Sequence, residues 1–152
     1  MKQGSKANFT GKQLEEFIDG VIQRKGYEFV KPNNFKGLKN IDRPLYTRQL
    51  EICKSIYNTP IRADFVIYHP DKHPSFLIIE SKWQESGGSV DEKYPYLILN
   101  IKQQYPYATI IVLDGGGYKR EAEQWMRSRV DNKLIHVFNM AEFQKWANSE
   151  KL

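Results

Sequence analysis

The sequence is poor in the side chains that form disulfides and zinc sites. Cys53 is the only cysteine among 152 residues, so no intramolecular disulfide can form and a reducing compartment, the cytoplasm, is expected. Only three histidines are present, and two of them, His69 and His73, flank a short predicted hairpin loop. Because no cysteine or further histidine lies near that loop to complete four ligands, the sequence argues against a zinc site there.

Long apolar runs are also absent. No stretch approaches the roughly 20 residues that a membrane-spanning helix needs. Residues 1–9 are polar and basic and lack the apolar region of a secretory signal. We therefore expect a soluble cytoplasmic protein with no membrane partner, in which residues 1–9 form a mobile basic segment and residues 10–152 a single domain.

Two glycine-rich signatures of nucleotide binding are missing as well. Residues 114–117 lie between a predicted strand and a predicted helix, where a phosphate-binding loop would be placed. The next residues, Tyr118 and Lys119, do not supply the Gly-Lys-Ser/Thr ending of a P-loop, and the dinucleotide pattern GxGxxG is absent. The stretch is interpreted as a tight strand-to-helix turn, and no nucleotide cofactor is expected.

The chain does carry a modest excess of positive charge. Lysine and arginine number 23 against 18 aspartates and glutamates, for a net charge of +5. Basic residues in and after the predicted loop 31–44 are candidate contacts for a polyanion such as DNA. They are Lys36, Lys39, Arg43 and Arg48. An ordinary solvated loop is the alternative explanation of the same charges.

Hydrophobic periodicity predicts an α/β fold. Apolar residues recur at helical spacing over 14–22, after a predicted N-cap at Thr10, whereas 76–79 and 109–113 are continuous apolar runs typical of buried strands. The predicted order is helix, three strands, helix, strand, helix, strand, helix. It describes a mixed central sheet flanked by helices, with hairpins early in the chain and crossover helices later.

The candidate site lies on two neighbouring strands of this sheet. Glu80 and Lys82 follow the run 76–79, and residues two apart on a strand point to the same face. Asp64, near the start of the preceding strand, supplies a second carboxylate. Buried charges are costly unless they pair or hold a metal, so a metal site and a carboxylate–lysine ion pair both stay open. Trp83, on the opposite face, is predicted to pack under a helix.

A metal and a lysine on one face suit phosphodiester hydrolysis. Asp64 and Glu80 would bind Mg²⁺ or Mn²⁺, and the carbonyl of Ser81 would add a further oxygen ligand. Lys82 would orient the metal-bound water, help to deprotonate it or neutralise charge in the transition state. Two carboxylates brought together should raise the pKa of at least one of them. Glu15 lies at the edge of the apolar helix stripe, where a third carboxylate and an ordinary flanking charge are both consistent.

The residues at this point resemble a known signature. Asp64, fifteen further residues and then Glu80-Ser-Lys82 are similar to the motif of the PD-(D/E)XK nucleases, the restriction-endonuclease-like superfamily. Gln84 matches the glutamine that often follows the lysine by two positions. The sequence departs from the motif at Ala63, where the signature has a proline that makes no metal contact.

The resemblance implies a restriction-endonuclease-like core of helix, three strands, helix and strand, with a C-terminal strand and helix added. It implies a Mg²⁺-dependent DNA endonuclease in which Asp64 and Glu80 bind the metal and Lys82 assists the water. Glu15 would be a third carboxylate, and Gln84 would support the site or contact the scissile strand. Cutting both strands would require two sites, hence a homodimer or a larger complex. The alternatives are a catalytically silent DNA-binding module and an assembly subunit of a restriction or repair complex.

Overall fold

Among the described residues, six strands form one mixed sheet and helices cover both of its faces. The computed structural model describes residues 3–38, 40–85 and 89–152, without the side chains of 3–10, 89 and 90. The strands are β1 (Glu28–Phe29), β2 (Leu45–Lys54), β3 (Pro60–His69), β4 (His73–Trp83), β5 (Thr109–Asp114) and β6 (Leu134–Phe138). The helices are α1 (Gln3–Arg24), α2 (Pro32–Phe35), α3 (Lys93–Gln103), α4 (Arg120–Ser128) and α5 (Met140–Trp146), with short helical turns at Ser89–Glu92 and Ala147–Lys151.

The strands lie in the sheet in the order in which they occur along the chain. β2, β3 and β4 form two successive antiparallel pairs, β1 runs parallel to β2, and β4, β5 and β6 are parallel. Tight turns suffice between antiparallel neighbours, whereas parallel neighbours need a crossover, which α3 and α4 provide. The predicted mixed sheet with early hairpins and later crossover helices is confirmed.

Two apolar layers position β4 at the centre of the fold. Leu77 and Ile79 pack with buried residues of α1 and α5 in what we call the α1 layer. Ile78 packs with buried residues of α3 and α4 in the α3 layer. A strand covered on both faces reads as a continuous apolar run, which is why this one was recognisable. Trp83 packs against the α1 layer, which confirms that it lies under a helix.

The first helix is longer than the sequence indicated. α1 begins at Gln3, so the prediction that Thr10 is its N-cap is wrong. No proline interrupts residues 3–10, and each residue added to an existing helix gains a backbone hydrogen bond. Residues 1 and 2 lie outside the described residues, and the mobility of residues 1–9 stays a prediction. No helix within the described ranges is long and apolar enough to cross a membrane.

The glycine turn after β5 is a tight strand-to-helix connection, as predicted, and it packs on the end of β4. Gly115 has a φ of +110°, a conformation that side chains disfavour. A Cβ atom at this position would lie 2.3 Å from the backbone oxygen of Gln84. The turn therefore supports the strand end that carries the candidate site.

Candidate active site

The backbone ladder between β3 and β4 ends where the predicted site residues begin. In the described structure, Phe65 and Ile79 are its last pair toward the site. Beyond them, the N–H of Asp64 donates to Glu80 Oε1 at 2.9 Å, and the N–H of Ser81 donates to Asp64 Oδ2 at 2.8 Å. Each carboxylate thus accepts a hydrogen bond from the backbone of the opposite strand. The two acids lie side by side at a fork between the strands.

Near this fork, the alternate side chains of β3 change from one face of the sheet to the other. Ile61 and Ala63 pack against the α3 layer, whereas Phe65 and Ile67 belong to the α1 layer. In a regular strand these four alternate residues would share one face. The strand therefore turns over at Asp64, the residue whose carboxylate reaches across to β4.

Glu80 is the buried member of the acidic pair. Its residue is 4% exposed, and the hydroxyl of Tyr105 donates to its Oε2 at 3.0 Å. Burial, followed by the nearby charge of Asp64, raises the pKa of Glu80 to about 7, although Lys82 and both hydrogen bonds act in the opposite direction. The expected rise in a carboxylate pKa is confirmed, but burial is a larger cause than repulsion.

Lys82 borders two clefts that meet at the fork. The α1 cleft, beside α1, is lined by Glu15, Arg48, Ser81 and Lys82, among others. The α3 cleft, beside α3, includes Glu80 and Lys82, as expected of residues on one face. No salt bridge joins Lys82 to another residue in the described ranges. The carboxylate–lysine ion pair, which was the alternative to a metal site, is therefore not formed among the described residues.

Glu15 extends from α1 into the α1 cleft, where a cation faces it. Its carboxylate lies 3.6 Å from Arg48, which also approaches Glu16 at 3.5 Å and Asp19 at 3.9 Å. Burial and then the charge of Asp64 raise the pKa of Glu15, and the guanidinium partly opposes this rise. Arg48 thus neutralises the acidic edge of α1 beside the fork, and its contact with DNA stays a prediction.

Comparison with models of known protein families shows to which family the chain is related. The sequence model of the PD-(D/E)XK nuclease superfamily domain matches residues 6–151. The chain belongs to the PD-(D/E)XK nuclease superfamily. The resemblance of the chain to this superfamily is thereby confirmed, and the superfamily indicates a nuclease-like function on nucleic acid. The roles of Asp64, Glu80 and Lys82 stay predictions. No curated protein and no solved structure matches the chain significantly.

PD-(D/E)XK nucleases generally use divalent metals, and the donor set at the fork fits such an ion. Mg²⁺ is bound through one or two carboxylates and keeps several waters. A carboxylate has about four acceptor positions, so the cross-strand bonds of Asp64 and Glu80 leave lone pairs available. Within the described ranges, no three Asp, Glu, His or Cys side chains are grouped as metal ligands. The Ser81 carbonyl as a ligand and Glu15 as a third carboxylate stay predictions.

Gln84, directly after β4, is buried and hydrogen-bonded to two other parts of the fold. Its residue is 4% exposed, its Nε2 donates to the oxygen of Gly117 at 3.4 Å, and its Oε1 accepts a hydrogen bond from the hydroxyl of Tyr94. Its backbone also bonds to Asp114 and Gly117. These contacts tie the end of β4 to the glycine turn and to α3. They favour the supporting role over contact with the scissile strand.

The other basic candidates do not converge on the fork. Lys36 and Arg43 are exposed in the segment before β2, and Arg43 pairs with Glu28 at 3.0 Å. Neither lines the α1 cleft or the α3 cleft. Lys39 lies outside the described residues. DNA contacts by these residues stay predictions, and they would have to lie away from the carboxylates.

Sequence reasoning missed two side chains that hold the acidic pair. Tyr105, just after α3, donates to Glu80, and Gln49 of β2 donates its Nε2 to Asp64 Oδ1 at 3.3 Å. Gln49 has a φ of +54°, so the strand is irregular there. Neither residue lies in a motif. The strand alternation around Gln49 and the helix end before Tyr105 carry no signal for these contacts.

Proposed function

We propose that this chain is a Mg²⁺-dependent endonuclease that hydrolyses phosphodiester bonds in DNA. The observation that carries the proposal is the fork, where Asp64 and Glu80 are bonded across two strands beside a lysine without a salt bridge among the described residues. An ion pair would use the lysine for stability. This arrangement leaves its ammonium available to a phosphate or a water in the clefts.

The residues at the fork have two proposed roles, which are to bind the metal ion and to act on the reacting phosphate and water. Asp64 and Glu80 would hold Mg²⁺, which when bound stabilises charge on the phosphate oxygens and lowers the pKa of a coordinated water. The N–H of Ser81 and the hydroxyl of Tyr105 fix the two carboxylates in place. Lys82 donates hydrogen bonds toward the reacting phosphate and its attacking water, where it stabilises negative charge that develops in the transition state.

The metal requirement follows from the same carboxylates. With its pKa near 7, Glu80 is partly protonated at neutral pH, so a cation has to displace a proton to bind. Metal binding should therefore strengthen as the pH rises from about 6 to about 8. Cutting both strands of a duplex would require two such forks, supplied by a homodimer or a larger complex.

Incubation with several DNA structures tests this function. Single-stranded, blunt duplex, flapped and branched DNA are each incubated with wild type and Asp64→Asn, in Mg²⁺ and in EDTA. We expect the wild type to cleave DNA internally in Mg²⁺. Asp64→Asn should not cleave in Mg²⁺, and neither protein should cleave in EDTA. DNA binding that does not depend on metal, without cleavage of any substrate, would instead identify a silent nuclease-fold binding module.

A further inference from the structure

The α3 cleft has the size and the lining of a binding site. It holds about 490 Å³, within the range of roughly 300–1,000 Å³ found for small-ligand pockets. Its walls include Tyr94, Tyr96, Leu97 and Tyr105, together with Glu80 of the fork. An apolar, aromatic cavity thus opens directly from the fork where the scissile phosphate would lie.

Tyr96, in the wall of this cleft, is stacked against a second tyrosine, Tyr57. Tyr96 lines the cleft and is 37% exposed, and Tyr57 packs against it while remaining 73% exposed. The ring centroids are 5.3 Å apart and the planes are inclined by 22°. An uncovered aromatic face is the kind of platform on which a nucleobase stacks, whatever its sequence.

The tyrosine pair is held in place by contacts that bind the β2–β3 turn to α3. The N–H of Ile56 donates to Asn100 Oδ1 at 2.9 Å, and Gln104 Nε2 donates to the carbonyl of Ser55 at 3.2 Å. Both bonds are made by the peptide unit between Ser55 and Ile56, which directly precedes Tyr57 in the chain. A platform fixed in this way needs little ordering when a ligand binds.

Basic side chains at the edge of the cleft suit the phosphates on either side of a base. Arg62 and Lys93 line the cleft and are exposed. In the described part of the chain, neither forms a salt bridge. They give the cleft a cationic edge beside an aromatic interior, the combination by which proteins bind single-stranded nucleic acid.

From these observations we propose that the α3 cleft receives the base of an unpaired nucleotide next to the scissile phosphate. The preferred substrate class is then DNA that is single-stranded at the cut site, as in a flap, an overhang or a free strand. A base inside a duplex is stacked and paired, so it would have to be extruded before it could enter. This inference rests on the proposed endonuclease function, because the phosphate position is set by the fork.

Equilibrium binding tests the cleft without relying on cleavage. A fluorescein-labelled single strand and a blunt duplex containing the same strand are titrated with the whole chain in EDTA at one fixed salt concentration. We expect the single strand to bind at least about tenfold more tightly than the duplex. Tyr96→Ala should weaken binding of the single strand at least about fivefold, in keeping with the loss of one stacked base, and leave the duplex unchanged.

Matched variants separate stacking from other effects. Tyr96→Phe keeps the ring and should retain single-strand affinity, whereas Tyr57→Ala, at a more exposed position, tests the platform even where Tyr96→Ala fails to fold. Trp125→Ala removes an aromatic residue of similar exposure, 38%, that does not line the cleft, and should change neither affinity. Equal binding of single strand and duplex, or single-strand affinity unchanged in both alanine variants, would overturn the proposed cleft.

The two proposals fail in different ways. Tyrosine-dependent binding of the single strand without Mg²⁺-dependent cleavage of any DNA would refute the endonuclease and keep the cleft as a nucleic-acid site. Cleavage of blunt duplex at the same rate as flapped DNA, unaffected by either alanine variant, would refute the cleft and keep the endonuclease.

Discussion

Replacement of Glu80 by glutamine should remove most of a pH dependence in the stability of the metal-free protein. The side chain is buried, and its pKa is about 7 in the folded protein against an ordinary value of 4.5. Between those values the folded protein keeps a proton that the unfolded chain has released. The stabilising contribution is therefore complete below pH 4.5 and is lost as the pH rises through 7.

The size of the effect follows from the distance between the two pKa values. At about 1.4 kcal/mol for each pH unit, a rise from 4.5 to about 7 corresponds to about 3 kcal/mol in the free energy of unfolding. The glutamine Oε1 can still accept the N–H of Asp64, and its amide can donate to the oxygen of Tyr105. The variant should thus resemble the fully protonated wild type, with a gain that rises from less than about 1 kcal/mol at pH 5 to about 3 kcal/mol at pH 8.

Urea unfolding in EDTA at pH 5, 6, 7 and 8, followed by tryptophan fluorescence, measures this difference. Glu142→Gln is the control, because a hydrogen bond from Arg127 lowers the pKa of Glu142. The contribution of Glu142 is present above pH 4.5, so this variant should differ from the wild type by a constant amount over the whole series. Equal pH slopes for wild type and Glu80→Gln would refute the reasoning, since Glu80 would then hold no proton near neutrality.

The other predictions concern the reaction, the metal and the glycine turn. Lys82→Ala should slow Mg²⁺-dependent DNA cleavage at least about 10²-fold, since the lysine acts mainly on the transition state. The urea midpoint and the DNA affinity of this variant should stay near those of the wild type. A variant that unfolds while its cleavage rate per folded molecule is unchanged would contradict this prediction. Ca²⁺ should raise the melting temperature of wild type but not of Asp64→Asn, and should support cleavage poorly, because its looser coordination misplaces the attacking water. Gly115→Ala should destabilise the protein by at least about 1–3 kcal/mol in urea unfolding, because its φ is +110° and the new Cβ would meet the oxygen of Gln84. Gly37→Ala is its control, since a Cβ there meets nothing within 4 Å.

The sequence predicted those parts of the fold that produce a local pattern of apolar residues along the chain. β4 and β5 are covered on both faces, so their burial appears as unbroken apolar runs in the chain. Asp64 lies on β3, and Glu80 and Lys82 directly follow the apolar run of β4. The pattern thus combined a spacing with strand positions, and the structure places Asp64 and Glu80 at one fork.

The parts that escaped prediction depend on contacts between distant residues. Gln49 and Tyr105 reach the acidic pair from a neighbouring strand and from the end of a helix, and nothing in their own surroundings marks them. The turnover of β3 at Asp64 is likewise invisible, since periodicity assumes a regular strand. The start of α1 was missed because extending a helix requires only the absence of a breaker, which is a weak signal.

The fork also explains how a stable fold can carry two adjacent acids. Each carboxylate replaces a lost ladder bond by accepting an N–H from the opposite strand, so the acids help to close the sheet at the point where it opens. Near neutral pH the buried one, Glu80, is partly protonated, which removes much of its repulsion from Asp64. A divalent cation would replace that proton and supply the missing positive charge at the same oxygens. In the proposed nuclease, sheet closure and metal binding therefore depend on the same two residues, so alanine substitutions at Asp64 and Glu80, which remove the acceptor oxygens, should weaken both together.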